Sequence, residues 1–263
     1  MITRTKLPKF KGKPLIEIPK EIPTIGFLEG DFGKEFLKEY KGRVNSDYGN
    51  ANPLNILSYQ DGLVKGSNSF AVVLANQILA QEGLRVARQS DLERAMKLSA
   101  LQLRGQYVDS GLVLRNEDEP NSYLAKDLYA QIKSRNSKKE SPIMIPLTEL
   151  DLIIDGSSSH GLKFKLKEDA EIIYAPILNG PDGTFVSECV DERTGLPSKF
   201  ASALISQNRT LYTRSSGLSR LFLDGILDLG SRGVGLANSD GDGRVVVVSD
   251  KKIYKKINKF VLH

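Results

Sequence analysis

Residues 217–248 read GLSRLFLDGILDLGSRGVGLANSDGDGRVVVV. Leu221, Leu223, Leu227 and Leu229 fall at even spacing, and between and beside them stand Arg220, Phe222, Asp224, Ile226, Asp228 and Gly230. A strand sends successive side chains to opposite faces. The spacing therefore predicts strands with a buried leucine face and a chemically mixed face open to solvent. The run Arg244–Val248 predicts a closing strand. One face is uniform and the other varied, which suits a scaffold that presents a binding surface.

The same block has a compositional gap. From Asn208 to Asp250 there is no Lys, Glu, Gln, Met or Trp, although the chain holds 23 Lys, 15 Glu, 8 Gln and 3 Met. Against that composition, a run of this length has a chance on the order of 1 in 10,000 at a given start. Depletion of Lys and Glu in strands explains part of it. It does not explain why Lys251, Lys252, Lys255, Lys256 and Lys259 follow at once.

The rest of the chain supplies helices and further strands. Phe70, Val73, Leu74 and Ile78 share one face of a helix that starts at Ser69 and ends at the left-handed cap Gly83. A second helix starts near Ser90, where Ser90 and Glu93 fit a capping box, and Leu92, Ala95, Met96 and Ser99 give it a face. Pro120 opens a third, with Leu124, Leu128 and Ile132 in line. Tyr107–Leu114, Ile143–Leu147, Leu150–Ile154, Leu162–Leu166 and Ile172–Ile177 read as strands. Residues 134–142 form a polar loop, and Pro181-Asp182-Gly183 a turn. Pro14, Pro19 and Pro23 make the first 45 residues an extended arm. Early helices before a strand-rich C-terminal half give an α+β class.

Composition bounds the function. The chain has 263 residues, 40% hydrophobic and 26% charged, enough for a core without covalent staples. Cys189 has no partner for an internal disulfide and reads as a buried thiol. The net charge of +5 gathers at Lys6, Lys9, Lys11, Lys13 and the final lysine cluster, which read as solvated tails. No signal peptide and no membrane-spanning run is visible. The expectation is cytoplasmic synthesis, with display or release by another route.

Two segments resemble one family. Residues 83–95, GLRVARQSDLERA, are similar to the G-x-R-L-P-T-x-A-E-W-E-x-A stretch of the C-type lectin fold in formylglycine-generating-enzyme-like domains. Gly83, Arg85, Glu93 and Ala95 match by identity, and Val86 and Asp91 by type. Ala87, Arg88 and Leu92 replace the proline, threonine and tryptophan. The block 217–248 resembles the variable region of the variable proteins of diversity-generating retroelements, which use this lectin fold. In that family an error-prone reverse transcriptase misreads template adenines, so AAY codons become NNY codons. Such codons never encode Lys, Glu, Gln, Met or Trp, the five types missing here.

The resemblance implies an α+β, C-type lectin-like domain over 46–250 with an insertion around 100–200. An arm (1–45) and a basic tail (251–263) flank it. It implies variable positions at Arg220, Phe222, Asp224, Ile226, Asp228, Gly230, Arg232, Gly233, Val234, Gly235, Asp240, Gly241 and Asp242. Leu221, Leu223, Leu227, Leu229, Leu236, Ala237 and Arg244–Val248 would be the scaffold. The basic tail and the GRVVVV ending depart from the family habit. The function implied is ligand binding without catalysis or cofactor, with a macromolecular partner, protein or surface glycan, and neither membrane insertion nor nucleic acid. The structural demand is that Phe222, Asp224, Ile226 and Asp228 face solvent.

Other motifs are weaker. Asn238–Gly243 fits the start of an EF-hand loop, but its twelfth position is Ser249 and a valine run follows, so it reads as a polar turn; a different calcium arrangement near Asp240 stays open. Gly156–Gly161 sets serines beside His160 without nucleophile-elbow spacing. Two alternative functions remain. One is an enzyme of the same fold, with Asp155, His160, Glu188 or Asp191 converging in the 156–200 loops. The other is a nucleic-acid-binding or virion protein using its lysine tails.

Overall fold

The computed structural model describes residues 24–135, 140–202 and 208–249, and the backbone of two short paired strands, β1 (Lys9–Phe10) and β2 (Lys13–Pro14). The basic tail 251–263, the rest of the arm before residue 24 and residues 136–139 of the expected polar loop lie outside the described residues. The helices are α1 (Gly30–Asp47), α2 (Ser69–Ala80), α3 (Gln89–Lys97) and α4 (Ser122–Ser134). The strands are β3 (Thr24–Phe27), β4 (Ser58–Gln60), β5 (Leu63–Lys65), β6 (Leu84–Val86), β7 (Val108–Leu114), β8 (Ile143–Pro146), β9 (Leu150–Ile154), β10 (Leu162–Leu166), β11 (Ile173–Tyr174), β12 (Gly183–Phe185), β13 (Arg209–Tyr212), β14 (Leu218–Leu223), β15 (Leu229–Gly230) and β16 (Val246–Ser249). The class is α+β.

α2 is apolar on nearly every side and lies buried at the centre, as an all-round apolar helix must. The Asn68 side chain accepts the Ala71 N–H at 2.8 Å to cap its start. Gly83 takes φ +70 just beyond its end, the left-handed position expected of it. α3 begins where the sequence places it, but its cap differs. The Asp91 carboxylate accepts the Arg88 N–H at 2.8 Å, and Glu93 is drawn away to Arg209 instead of boxing with Ser90. α4 starts at Ser122, after Asn121 turns the chain with φ +61.

The extended-arm expectation for 1–45 is corrected. Its last third is α1, which buries Phe32, Phe36, Leu37, Tyr40 and Val44, and before it β3 belongs to a sheet. The five residues recur at helical spacing, and burying them outweighs the helix-breaking composition of the preceding stretch.

Seven strands form one sheet in the order β11-β8-β7-β14-β15-β13-β12, antiparallel except for the β13–β15 pair. Its two faces feed two cores. Leu112, Leu114, Ile143, Ile145 and Leu218 meet the core of α1, α2 and α4. Val113, Met144, Leu211, Leu221, Leu223 and Leu229 join Leu92 and Ala95 of α3 on the other side. β7 is buried along its whole length, as a strand covered on both faces should be.

β7 carries a bulge opposite Leu221 and Phe222, which pair with Gly111 and Asp109 and leave Ser110 over. The extra residue lets Val108 and Val113, an odd number apart, face the same core. The Ser110 hydroxyl donates to the Gln89 side-chain oxygen at 2.8 Å. A second sheet has β16 in the middle, between β3 and β6.

Candidate functional site

The block 217–248 is shorter in strand than its alternation predicts. β14 stops at Leu223 because Asp224 turns the chain: its carboxylate accepts the N–H groups of Ile226 at 3.0 Å and Asp228 at 2.9 Å. Leu221, Leu223 and Leu229 are buried as expected. Leu227, expected beside them, sits at the corner of the turn with φ +75 and is only half-buried.

Three of the thirteen candidate variable positions are corrected from solvent-facing to buried. Arg220 is 6% exposed, and its Nε and Nη2 donate to the two carboxylate oxygens of Asp109, both at 2.7 Å. Its Nη1 donates to the Gly235 carbonyl at 3.1 Å. The rings of Tyr107 and Phe222 lie 4.7 Å and 5.6 Å from the guanidinium carbon. Asp228, 7% exposed, accepts the Thr210 N–H at 2.7 Å. Gly230 is buried beneath the Phe222 ring, where an added Cβ would stand 2.2 Å from a ring carbon. Arg220 is covered because the chain after Gly230 folds back over it, Gly230 lies under the Phe222 ring, and Asp228 is held by the Thr210 N–H of β13.

Phe222, Asp224, Gly233 and Gly235 are half-buried, so Phe222 and Asp224 meet the solvent demand only in part. Ile226, Arg232, Val234, Asp240, Gly241 and Asp242 are exposed. Most of the exposed set forms a continuous strip. Arg232 lies 4.1 Å above the Tyr212 ring and pairs with Asp182 at 3.2 Å. Gly233 packs against Phe222, whose ring is 4.9 Å from that of Tyr107. The Tyr107 N–H donates to the Asp242 carbonyl at 3.0 Å, joining the strip to the 240–242 loop. Ile226 stands apart on the turn.

Beneath the strip lies a buried polar layer that the block's own sequence does not reveal. Burial pushes the Asp109 carboxyl up to about 8; the Ser67 hydroxyl that donates to it opposes the rise, and the Asp240 carboxylate adds to it. Burial lowers the Arg220 guanidinium to about 10. The bidentate contact favours the charged form of each group and works against the burial that disfavours it. Ser67, Tyr107 and Asp109 were not candidates on sequence. The one signal was a polar Asp-Ser pair inside the apolar strand Val108–Leu114.

The Gly230–Phe222 contact makes two nominally free positions interdependent. Gly230→Ala is expected to destabilise the protein by about 1–3 kcal/mol through overpacking. Combined with Phe222→Ala, the loss should fall short of the sum of the two single losses by about 0.5 kcal/mol or more. Urea unfolding of the four proteins measures this, and strict additivity would count against the contact.

The remaining candidates fall elsewhere. Asp240 and Asp242 are exposed, and among the described residues no three His, Cys, Asp or Glu side chains gather to hold a metal. Asp155 accepts the Tyr123 hydroxyl at 2.7 Å, a bond that holds its carboxyl below the ordinary range. His160 packs 5.1 Å from the Phe70 ring, and burial lowers its pKa. Both lie on the β9–β10 hairpin, whereas Glu188 and Asp191 line a cavity beside α3. The four enzyme candidates therefore do not form one site. Cys189 is half-buried and carries no disulfide.

Comparison with family models, with curated proteins and with solved structures returned no match for this chain. No helix among the described residues is long and apolar enough to cross a membrane.

Proposed function

We propose that this chain is a ligand-binding protein, without catalytic function, built on a C-type lectin-like scaffold, whose C-terminal surface is diversified by a retroelement. The observation that carries the reading is a coincidence of two properties in one segment. The run that lacks Lys, Glu, Gln, Met and Trp also supplies an exposed strip whose backbone is pinned from below. Exposed side chains on a pinned backbone can change while the core does not, since surface substitutions cost within about 0.5 kcal/mol and core truncations several.

The burial of Arg220, Asp228 and Gly230 narrows the reading. The freely replaceable set is Ile226, Arg232, Val234, Asp240, Gly241 and Asp242, while half-buried Phe222 is tied to Gly230. Phe222, Val234 and the Tyr212-stacked Arg232 offer apolar and bidentate contacts of the kind that anchor protein interfaces. The exposed carboxylates of Asp240 and Asp242 would repel nucleic-acid phosphates. A macromolecular partner, protein or surface glycan, fits this chemistry best.

Sequencing the DNA around the coding region tests the reading. The expected result is a near-copy of the segment for 217–248 that differs only at adenines, close to a reverse-transcriptase gene. A locus without such a copy would refute retroelement diversification.

A further inference from the structure

The cavity beside α3 is lined by none of the exposed candidate positions. Its volume is about 670 Å³, within the size range of small-ligand sites. At its floor Arg209 donates to both carboxylate oxygens of Glu93, at 2.6 and 2.9 Å, and Gln89 donates to the same carboxylate at 2.9 Å. The Arg209 Nε donates to the Leu227 carbonyl, and the guanidinium carbon is 4.9 Å from the Phe185 ring. The floor charges are thus spent on each other, with side chains 9% and 10% exposed.

The walls are different. The α3 wall carries Arg94 and Lys97, and the facing 187–192 loop carries Glu188, Asp191 and Glu192. One contact joins the two walls, Lys97 to Glu192 at 3.4 Å, with the side chains 74% and 86% exposed. An ion pair so exposed contributes little, so a ligand can replace it readily. Half-buried Met96, Val190 and Leu227 supply an apolar lining. Leu227 keeps its left-handed backbone at this cavity, where a non-glycine residue is strained.

Two walls of opposite charge with an apolar lining call for a ligand with both charges and an apolar body. We propose that the α3 cavity binds a short peptide with free termini and apolar side chains. Its carboxylate goes to Arg94 and Lys97, its ammonium to Glu188 and Glu192, and its side chains to Met96, Val190 and Leu227. The Glu93–Arg209 floor positions the walls and does not touch the ligand's charges.

Calorimetric titration of the full chain with the dipeptide Leu-Leu tests this. Binding is expected with Kd on the order of 1 mM or tighter, and about tenfold weaker for the N-acetylated, amidated dipeptide. R94Q/K97Q and E188Q/E192Q, all at exposed positions, should each weaken Leu-Leu by about tenfold. Circular dichroism of both variants should match the parent. Absence of heat with Leu-Leu, equal affinity for the capped dipeptide, or unchanged affinity in both variants would each overturn the proposal. A chain substituted at Arg232, Val234, Asp240 and Asp242 should bind Leu-Leu as the parent does. Failure of this site is thereby separated from failure of the exposed strip.

Discussion

Arg220→Ala is expected to lower unfolding free energy by about 3–5 kcal/mol, the usual cost of removing one partner of a buried ion pair. The deficit should also depend on pH. With Arg220 in place burial already pushes the Asp109 carboxyl up to about 8, and loss of the guanidinium should raise it further. In the unfolded chain the same carboxyl has a pKa of about 3.9. The folded variant therefore holds more protons than the unfolded chain between those values, and its stability falls as pH rises through that window. The parent shares that slope up to about 8, so the deficit should widen above pH 8, where the parent carboxyl ionises and that of the variant does not. Urea unfolding of parent and variant at several pH values reads it directly. A deficit that does not widen above pH 8 would mean that Arg220 does not govern the ionisation of Asp109. Such a cost at a position of the mixed face also sets a boundary on diversification: a chain varied at Arg220 should fold only where Asp109 changes with it.

Leu221→Ala is expected to cost about 2–5 kcal/mol, because the side chain is fully buried against the α3-side core. The contrast lies with the exposed set. Replacing Ile226, Arg232, Val234, Asp240, Gly241 and Asp242 by serine, singly, should shift stability by no more than about 0.5 kcal/mol each. An added Cβ at Gly241 meets open space, so that glycine is as replaceable as its neighbours. Thermal and urea unfolding of the seven variants measures the gap. If any of the six exposed substitutions costs as much as Leu221→Ala, the strip is part of the scaffold, and the proposed division between fixed and variable positions is wrong.

Much of the fold was legible because its signals are local. The helical spacing of Phe70, Val73, Leu74 and Ile78, with Gly83 beyond, gave α2 and its end. The apolar runs 108–114, 150–154 and 162–166 gave three strands with little error. α1 was hidden behind a run of prolines and lysines that ends before it, although Phe32, Phe36 and Tyr40 carry the helical period. The site was less legible, since what decides it is not local. Period-two spacing tells which side of a strand a residue takes. It does not tell what later folds over that side. Arg220 meets Asp109 across 111 positions, and no pattern within either segment announces the meeting. The Asp-Gly pair at 224–225 did signal a turn, and taking it as such would have broken the even leucine series before Leu227.

The middle strand of the three-stranded sheet has a consequence for how the molecule is made. β16 is the last strand in the described chain, yet β3 and β6 bond only to it and not to each other. On the ribosome both flanking strands must wait, unpaired, until nearly all of the described chain has emerged. An incomplete product that stops before Val246 would present two vacant strand edges and bare the apolar surfaces of Ile25 and Val86, conditions that favour aggregation. A chain cut short anywhere before Val246 would then be lost to aggregation before it could display a damaged surface.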